Sequence, residues 1–136
     1  MVPLIEWGEQ HSVHVQRFDE DHRQLIAMLN ELHDAVQAGK GKNMVRRVLL
    51  GLAAFSEQHF AAEEVEMERT DFPEYQAHAA EHRQLVARVR EFVRAYEVGD
   101  TGVSREVLMF LHDWVEHHMQ ATDAKYSEHL NANGVR

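Results

Sequence analysis

The sequence predicts an all-α protein, an up-down-up-down antiparallel four-helix bundle with an irregular N-terminal arm. Three observations predict it. Apolar residues recur at alternating steps of three and four through four long segments, the period that lines one face of a helix. Short polar breaks containing Gly, Asn, Asp or Pro separate the segments, and short connections make consecutive helices antiparallel neighbours. The composition is rich in helix formers such as Ala, Leu, Glu, Gln and Arg, with only two prolines in 136 residues.

Residues 1–17 form the arm, where Trp7, Val13 and Val15 are the contacts expected to pack it along the bundle. The alternation Val13-His14-Val15 suits an extended stretch but is too short to build a sheet. The first helix, about 18–38, carries Phe18, His22, Leu25, Leu29, Leu32 and Val36 on its stripe and stops at Gly39-Lys40-Gly41-Lys42-Asn43. The second, about 43–69, carries Val45, Val48, Leu52, Phe55, His59 and Glu63, flanked by Leu49 and Met67. It stops near Thr70-Asp71-Phe72-Pro73. Asp71 with Glu74 reads as a capping box that opens the third helix, about 72–98, with Pro73 in its first turn. That helix carries Tyr75, His78, His82, Leu85, Val89, Phe92 and Tyr96 and ends at Gly99-Asp100-Thr101-Gly102. The fourth, about 104–131, carries Val107, Leu111, Trp114, His118 and Lys125, is expected to be capped by Ser104, and frays before Asn133-Gly134. The length predicts a single domain, residues 1–136, around one core.

Composition removes whole classes of function. A formal charge of −9 argues against nucleic-acid binding, which needs a basic stripe. Cysteine is absent, so there is no disulfide framework, thiolate metal site or Cys nucleophile, and a reducing compartment suits the chain. No basic n-region or long apolar run marks a signal peptide, and no stretch approaches a membrane span. A soluble, cytoplasmic protein is expected.

Eleven histidines are the compositional oddity, dispersed with no run longer than two, unlike a tag. Five of them, His22, His59, His78, His82 and His118, occupy stripe positions that Leu, Val and Phe fill elsewhere in the same helices. One stripe histidine is most simply a core residue bonded to a carbonyl or a water. Five of them, with His78 and His82 one turn apart, call for another reason. A buried polar group without a partner costs on the order of 1–3 kcal/mol, and a metal turns its lone pair into a coordinate bond. His59 and Glu63 share a helix face at i, i+4 spacing. His118 and Asp123 stand five apart, so either they reach different parts of one site or the helix loosens between them. In an antiparallel bundle the starts of helices one and three lie level with the ends of two and four. All four rods then deliver ligands to one end, enough for two adjacent metal ions.

The other histidines take plainer readings. His11, His14, His112 and His129 fall off the stripe and are expected in solvent. His33, beside Leu32, is expected to pack, and the register of Leu111 and Trp114 favours His118 over His117. Glu64, Glu66 and Glu68 are expected to form a solvated acidic face. Nitrogen and oxygen ligands exclude Cu(I) and iron–sulfur chemistry and favour iron, with manganese or zinc open. The ferritin-type Glu-x-x-His and the zincin His-Glu-x-x-His are both absent.

The stretches Trp7, Ser12-Val13, Phe18-Asp19-Glu20-Asp21-His22, His59-Phe60-Ala61-Ala62-Glu63-Glu64, His78-Ala79-Ala80-Glu81-His82 and Trp114 to Tyr126 carry a resemblance that spans nearly the whole chain. Together they resemble the hemerythrins, in particular their bacterial single-domain branch. The resemblance implies two iron ions: His78, His82 and His118 hold one, and His22 and His59 the other. Glu63 and Asp123, with an oxo or hydroxo group, bridge them. The iron with two histidines keeps an open position, implied as the seat of dioxygen, in a pocket formed by Trp114, Val115 and Met119. The sequence departs from the family pattern at three places. Val115 and Met119 stand where Leu and Ile are usual, and His14 stands where Gly is usual.

Three functions compete. The leading one is reversible oxygen binding for storage, delivery or sensing, without enzymatic turnover. The second is a di-iron oxidase or peroxidase, which needs a substrate cavity and proton-delivering groups; only Tyr126 and Glu116 offer themselves, and both read as structural. The third is an oxygen- or redox-sensing module of a longer signalling chain, with Asn131-Ala132-Asn133-Gly134 as a linker. Dioxygen is the expected partner, with no nucleic acid and no membrane, and the chain is expected to be a monomer.

Overall fold

The computed structural model describes residues 3–39, 42–98 and 103–136. Its helices are α1 (Gln16–Gln37), α2 (Lys42–Arg69), α3 (Tyr75–Glu97), α4 (Val103–His117) and α5 (Asp123–Ala132). A π-helical turn, His118–Thr122, joins α4 to α5 in one continuous rod. Helix α1 packs against α2 and α4, and α3 packs against the same two, which closes an antiparallel four-helix bundle. Among the described residues there is no strand, and no helix is long and apolar enough to cross a membrane.

The arm is more ordered than its irregular sequence suggests. Glu9–His11 make one 3-10 turn. Ile5 exchanges two bonds with the Asn30 side chain on α1, at 3.0 and 2.9 Å. Asp19 receives the Ser12 hydroxyl at 2.6 Å and the Val13 amide at 2.8 Å, and the α5 residue Ser127 donates to the Val13 carbonyl at 2.7 Å. Val13 and Val15 are fully buried, as expected of arm contacts, and they flank His14, whose backbone is left-handed at φ +56°.

The Asp71–Glu74 capping box does not form. Asp71 instead takes a left-handed conformation, φ +56°, and ends α2. The Phe72 amide reaches back to the Met67 carbonyl (2.8 Å) and the Asp71 amide to Glu68 (3.2 Å), a Schellman closure with Phe72 packed in the same cluster as Met67. Helix α3 therefore starts at Tyr75, not at 72, and its N-cap Glu74 makes no side-chain cap bond. Helix α1 starts two residues earlier than its stripe suggests and ends against Gly39, whose φ of +66° is free to glycine. The Gly99–Gly102 turn lies outside the described residues, and Ser104 falls within α4, which begins at Val103, rather than at its cap position.

Two apolar clusters divide the interior. The larger includes Leu25, Leu29, Leu49, Leu52, Phe60, Leu85, Leu111 and Met119. The smaller gathers Val13, Val15, Phe18, Met67, Phe72, Tyr126 and Leu130 at one end. Both exclude water, at about 25 cal/mol per Å² of apolar surface buried. A single polar layer lies between them.

Candidate metal centre

Each rod crosses that layer with a stripe position. His22 lies between Phe18 and Leu25 on α1, and His59 and Glu63 lie between Leu52 and Met67 on α2. His78 and His82 lie between Tyr75 and Leu85 on α3, and the π turn presents His118 and Asp123 between Leu111 and Tyr126. All seven side chains are buried, with Glu63 and Asp123 wholly so. The structure thus brings every predicted ligand candidate to one level.

They form two sets that could each hold a metal: Glu63, His78, His82, His118 and Asp123, and His22, His59 and Glu63. Glu63 lies 3.2 Å from His59 and 3.4 Å from His82 through Oε1, and 3.7 Å from His22 through Oε2. Asp123 Oδ1 is 2.9 Å from both His78 and His118, while Oδ2 is 3.2 Å from His22. Each carboxylate therefore faces both groups of imidazoles. The five-residue spacing is resolved by loosening of the helix. The Asp123 amide bonds to the His118 carbonyl, a π-type step, which removes the rotation an α-helix would impose and lets the two side chains meet.

The fit to a metal is tested by what the polar atoms lack. Nε2 of His22, His59 and His78, Oε1 of Glu63 and both oxygens of Asp123 are buried with no hydrogen-bond partner. Native interiors leave only a few such atoms per hundred residues; here, besides His33 Nδ1, six point at a common space. The opposite ring nitrogens are anchored. His59 Nδ1 meets Asp21 at 2.8 Å, His82 Nδ1 meets Glu64 at 2.8 Å, and His118 Nδ1 meets Glu81 at 3.4 Å. His22 Nδ1 faces the His11 carbonyl at 3.3 Å. Such outer partners fix the ring orientation that aims Nε2 inward.

The charges respond accordingly. Burial alone would lower the His22 pKa, but Asp123 and Glu63 outweigh it and raise it to about 10. Burial likewise opposes His59, which Glu63 and Asp21 raise to about 9, and His118 is raised against burial mainly by Asp123. Glu63 and Asp123 are held well below their ordinary values despite burial, chiefly by His59 and His118 respectively. Tyr126 donates its hydroxyl to Glu63, and burial next to that carboxylate pushes its pKa well above normal. Without an ion, protons on the imidazoles balance the carboxylates. Metal cations would take the place of those protons.

Beside the layer lies a mostly apolar cavity of about 20 Å³ lined by Leu25, Leu29, Leu52, Leu85, Leu111, Trp114, Val115 and Met119 together with His22, His59, His118 and Asp123. That is room for roughly one water-sized molecule. Trp114, Val115 and Met119 all line it, and Trp114 also stacks on His118 at 4.1 Å. Sequence reasoning missed Ser56, the one hydroxyl side chain on this wall, and Phe60, stacked at 3.8 Å on His82.

Several of the plainer readings need correction. His11 is buried, not solvated: its Nδ1 accepts the Gly8 amide at 3.0 Å, and its Nε2 meets Glu116 at 2.8 Å. His129 is half-buried on the Thr70 carbonyl, at 2.8 Å. Glu64 leaves the expected acidic face to hold His82, and Glu66 is half-buried against Arg69. His14, Glu68 and His117 are exposed and His33 is half-buried, as expected.

A metal-binding four-helix bundle with a histidine-rich pair of sites and a small apolar chamber beside them is the class that fold and layer define. A family model described as the hemerythrin HHE cation binding domain matches residues 13–130, and the chain belongs to the hemerythrin family. It is 28% identical to the bacteriohemerythrin of Methylococcus capsulatus over 95% of this chain and 98% of that protein. It is 31% identical to the bacteriohemerythrin of Pseudomonas aeruginosa, covering 90% of this chain and 78% of the relative. The fold superposes on a crystal structure of wild-type hemerythrin with a TM-score of 0.86 at 27% identity, over 93% of this chain and 98% of the other. Members of this family bind oxygen at a non-haem di-iron centre.

Proposed function

We propose that this chain binds dioxygen reversibly, as a store or carrier, at a di-iron centre whose ligands are the seven residues of the polar layer. His78, His82 and His118 would hold one ion and His22 and His59 the other, with Glu63 and Asp123 shared between them. The two ions would supply dioxygen with one electron each and recover them on release. The observation that carries the reading is the convergence of five buried imidazoles and two buried carboxylates, whose inward-facing atoms make no well-formed hydrogen bond, beside a chamber sized for one small molecule.

The protein's own part is to orient, to exclude and to balance charge. Asp21, Glu64 and Glu81 set the imidazole tautomers so that each Nε2 lone pair faces inward. The two carboxylates offset much of the cation charge, which makes a low-dielectric layer tolerable. Trp114, Val115, Met119 and the leucines keep out the water and protons that would otherwise drive irreversible oxidation. Val115 and Met119 are the points at which this pocket departs from the family pattern. Met is flexible, so it sets how readily the chamber admits and retains its ligand. The reading makes the protein a cytoplasmic monomer, which suits a chain without cysteine.

The test is anaerobic reduction of iron-loaded protein, followed by air and then vacuum. A visible charge-transfer band that rises with air and vanishes under vacuum, with two irons per chain, is the expected result. Sustained oxygen consumption in the presence of a reductant would instead establish the oxidase reading.

A further inference from the structure

The outer partners of the histidines follow a rule that none of them shows alone. Asp21 on α1 anchors His59 on α2, Glu64 on α2 anchors His82 on α3, and Glu81 on α3 anchors His118 at the end of α4. Each helix steadies a ring carried by the next, using a carboxylate adjacent in sequence to a ligand candidate. The fourth step, from α4 back to α1, lacks a direct carboxylate. His22 Nδ1 faces the main-chain carbonyl of His11 instead, at 3.3 Å. Behind that carbonyl, the His11 ring is buried and bonded to Glu116 on α4 at 2.8 Å.

We propose that Glu116 and His11 are the positioning residues for His22, closing the ring of outer partners through the arm. This deepens the di-iron reading and rests on it. The tautomers are fixed by the bonds. The Gly8 amide donates to His11 Nδ1, so the ring proton sits on Nε2 and is donated to Glu116. A carbonyl can only accept, so His22 carries its proton on Nδ1 and presents Nε2 to the layer, 3.2 Å from Asp123. Gln120 donates to the other oxygen of Glu116 at 2.7 Å, and Trp7 lies over His11 at 5.6 Å between ring centres. The arm segment is thus clamped from α4, and the carbonyl that orients His22 is part of the clamped segment. A neutral carbonyl is a weaker acceptor than the carboxylates behind His59, His82 and His118. Among these four rings, His22 is therefore the one whose orientation depends most on its support.

The experiment uses iron-loaded, oxidised protein with azide as the probe, reading the azide-to-iron visible band and the rate of iron loss to a chelator. Glu116→Ala is expected to shift the band and to speed iron loss on the order of tenfold, the scale of a lost outer partner. Glu116→Gln keeps an acceptor and is expected to restore most of both. Should Glu116→Ala fail to fold, His11→Gln breaks the same chain and is expected to show the same shift. Asn30→Ala is the control, because it cuts a different tether of the arm, at Ile5, and is expected to lower Tm while leaving the band unmoved. A wild-type band and iron-loss rate in Glu116→Ala, or in His11→Gln, would overturn the proposal. So would an Asn30→Ala variant that reproduces the shift, since any loosening of the arm would then suffice. Wild-type protein that takes up no iron overturns the di-iron reading itself.

Discussion

His14 occupies a backbone position that suits glycine, with φ at +56°. An L-residue there costs roughly 1–2 kcal/mol, part of which glycine forfeits through its freer unfolded chain. The bonds around it run through main-chain atoms, with its amide on Ser12 Oγ and its carbonyl taking Asn131. Nothing is lost by removing the exposed ring. His14→Gly is therefore expected to stabilise the protein by about 1 kcal/mol, roughly 3 °C in Tm at this size, and a thermal melt showing a lower Tm would contradict that. The glycine that the resemblance implies at this place would thus have a local cause, the left-handed backbone, which the residues around His14 do not disclose. Six of the seven ligand candidates were legible because each interrupts an apolar stripe of known period, whereas Asp123 stands off its stripe and its role came with the resemblance. Asp21, Glu64 and Glu81 were not legible. They flank the stripe, and only the rotation of the neighbouring helix decides that they meet an imidazole rather than water. His11 was read wrongly for the same reason, since an arm without a period offers no face to reason from.

At the scale of elements, the four rods and most of their ends were legible, and the start of the third was not. Asp71 shows why. Asp-Phe-Pro-Glu satisfies the pattern of a helix start, but the same Asp is one of the few residues that tolerates a left-handed closure at a helix end. Packing of Phe72 with Met67 decides in favour of the closure. The two alternatives predict different costs. Glu74→Ala is expected to leave stability unchanged within a few tenths of a kcal/mol, because Glu74 makes only an exposed pair with Lys125 at 3.7 Å. A loss of about 1 kcal/mol in chemical denaturation, the size of a lost cap, would show that the box forms after all. Asp71→Gly is expected to be neutral or stabilising, because glycine takes the left-handed closure at no steric cost. The last rod teaches a related lesson. A five-residue spacing between His118 and Asp123 signalled either divided roles or a looser helix, and the π turn shows that the helix gives way.

The whole molecule is a bundle with a polar layer between two apolar clusters, and the layer should govern how stability responds to metal and to pH. Because five imidazoles from four rods converge there, iron would tie together elements that otherwise meet through packing and a few side-chain bonds. His78→Ala is expected to lower both the iron bound per chain and Tm of the loaded protein, and full loading measured in that variant would count against the ligand assignment. In the iron-free protein, the folded state holds protons on His22 up to about pH 10 and on His59 up to about pH 9, against an ordinary value of 6.5. A pKa raised by folding contributes stability that is complete below the unfolded value and is lost as pH climbs through the folded one. Glu63 and Asp123 act in the opposite direction, since their lowered values contribute above the ordinary carboxylate range and fail only in acid. Iron-free protein is therefore expected to be most stable between about pH 5 and 6.5 and to lose Tm steadily from pH 7 toward 10. Bound iron replaces those protons, so the loaded protein should stay level across the same alkaline range and instead release metal as acid competes for the imidazoles. Parallel Tm curves for the two forms from neutral to alkaline pH would show that the layer does not exchange protons for metal.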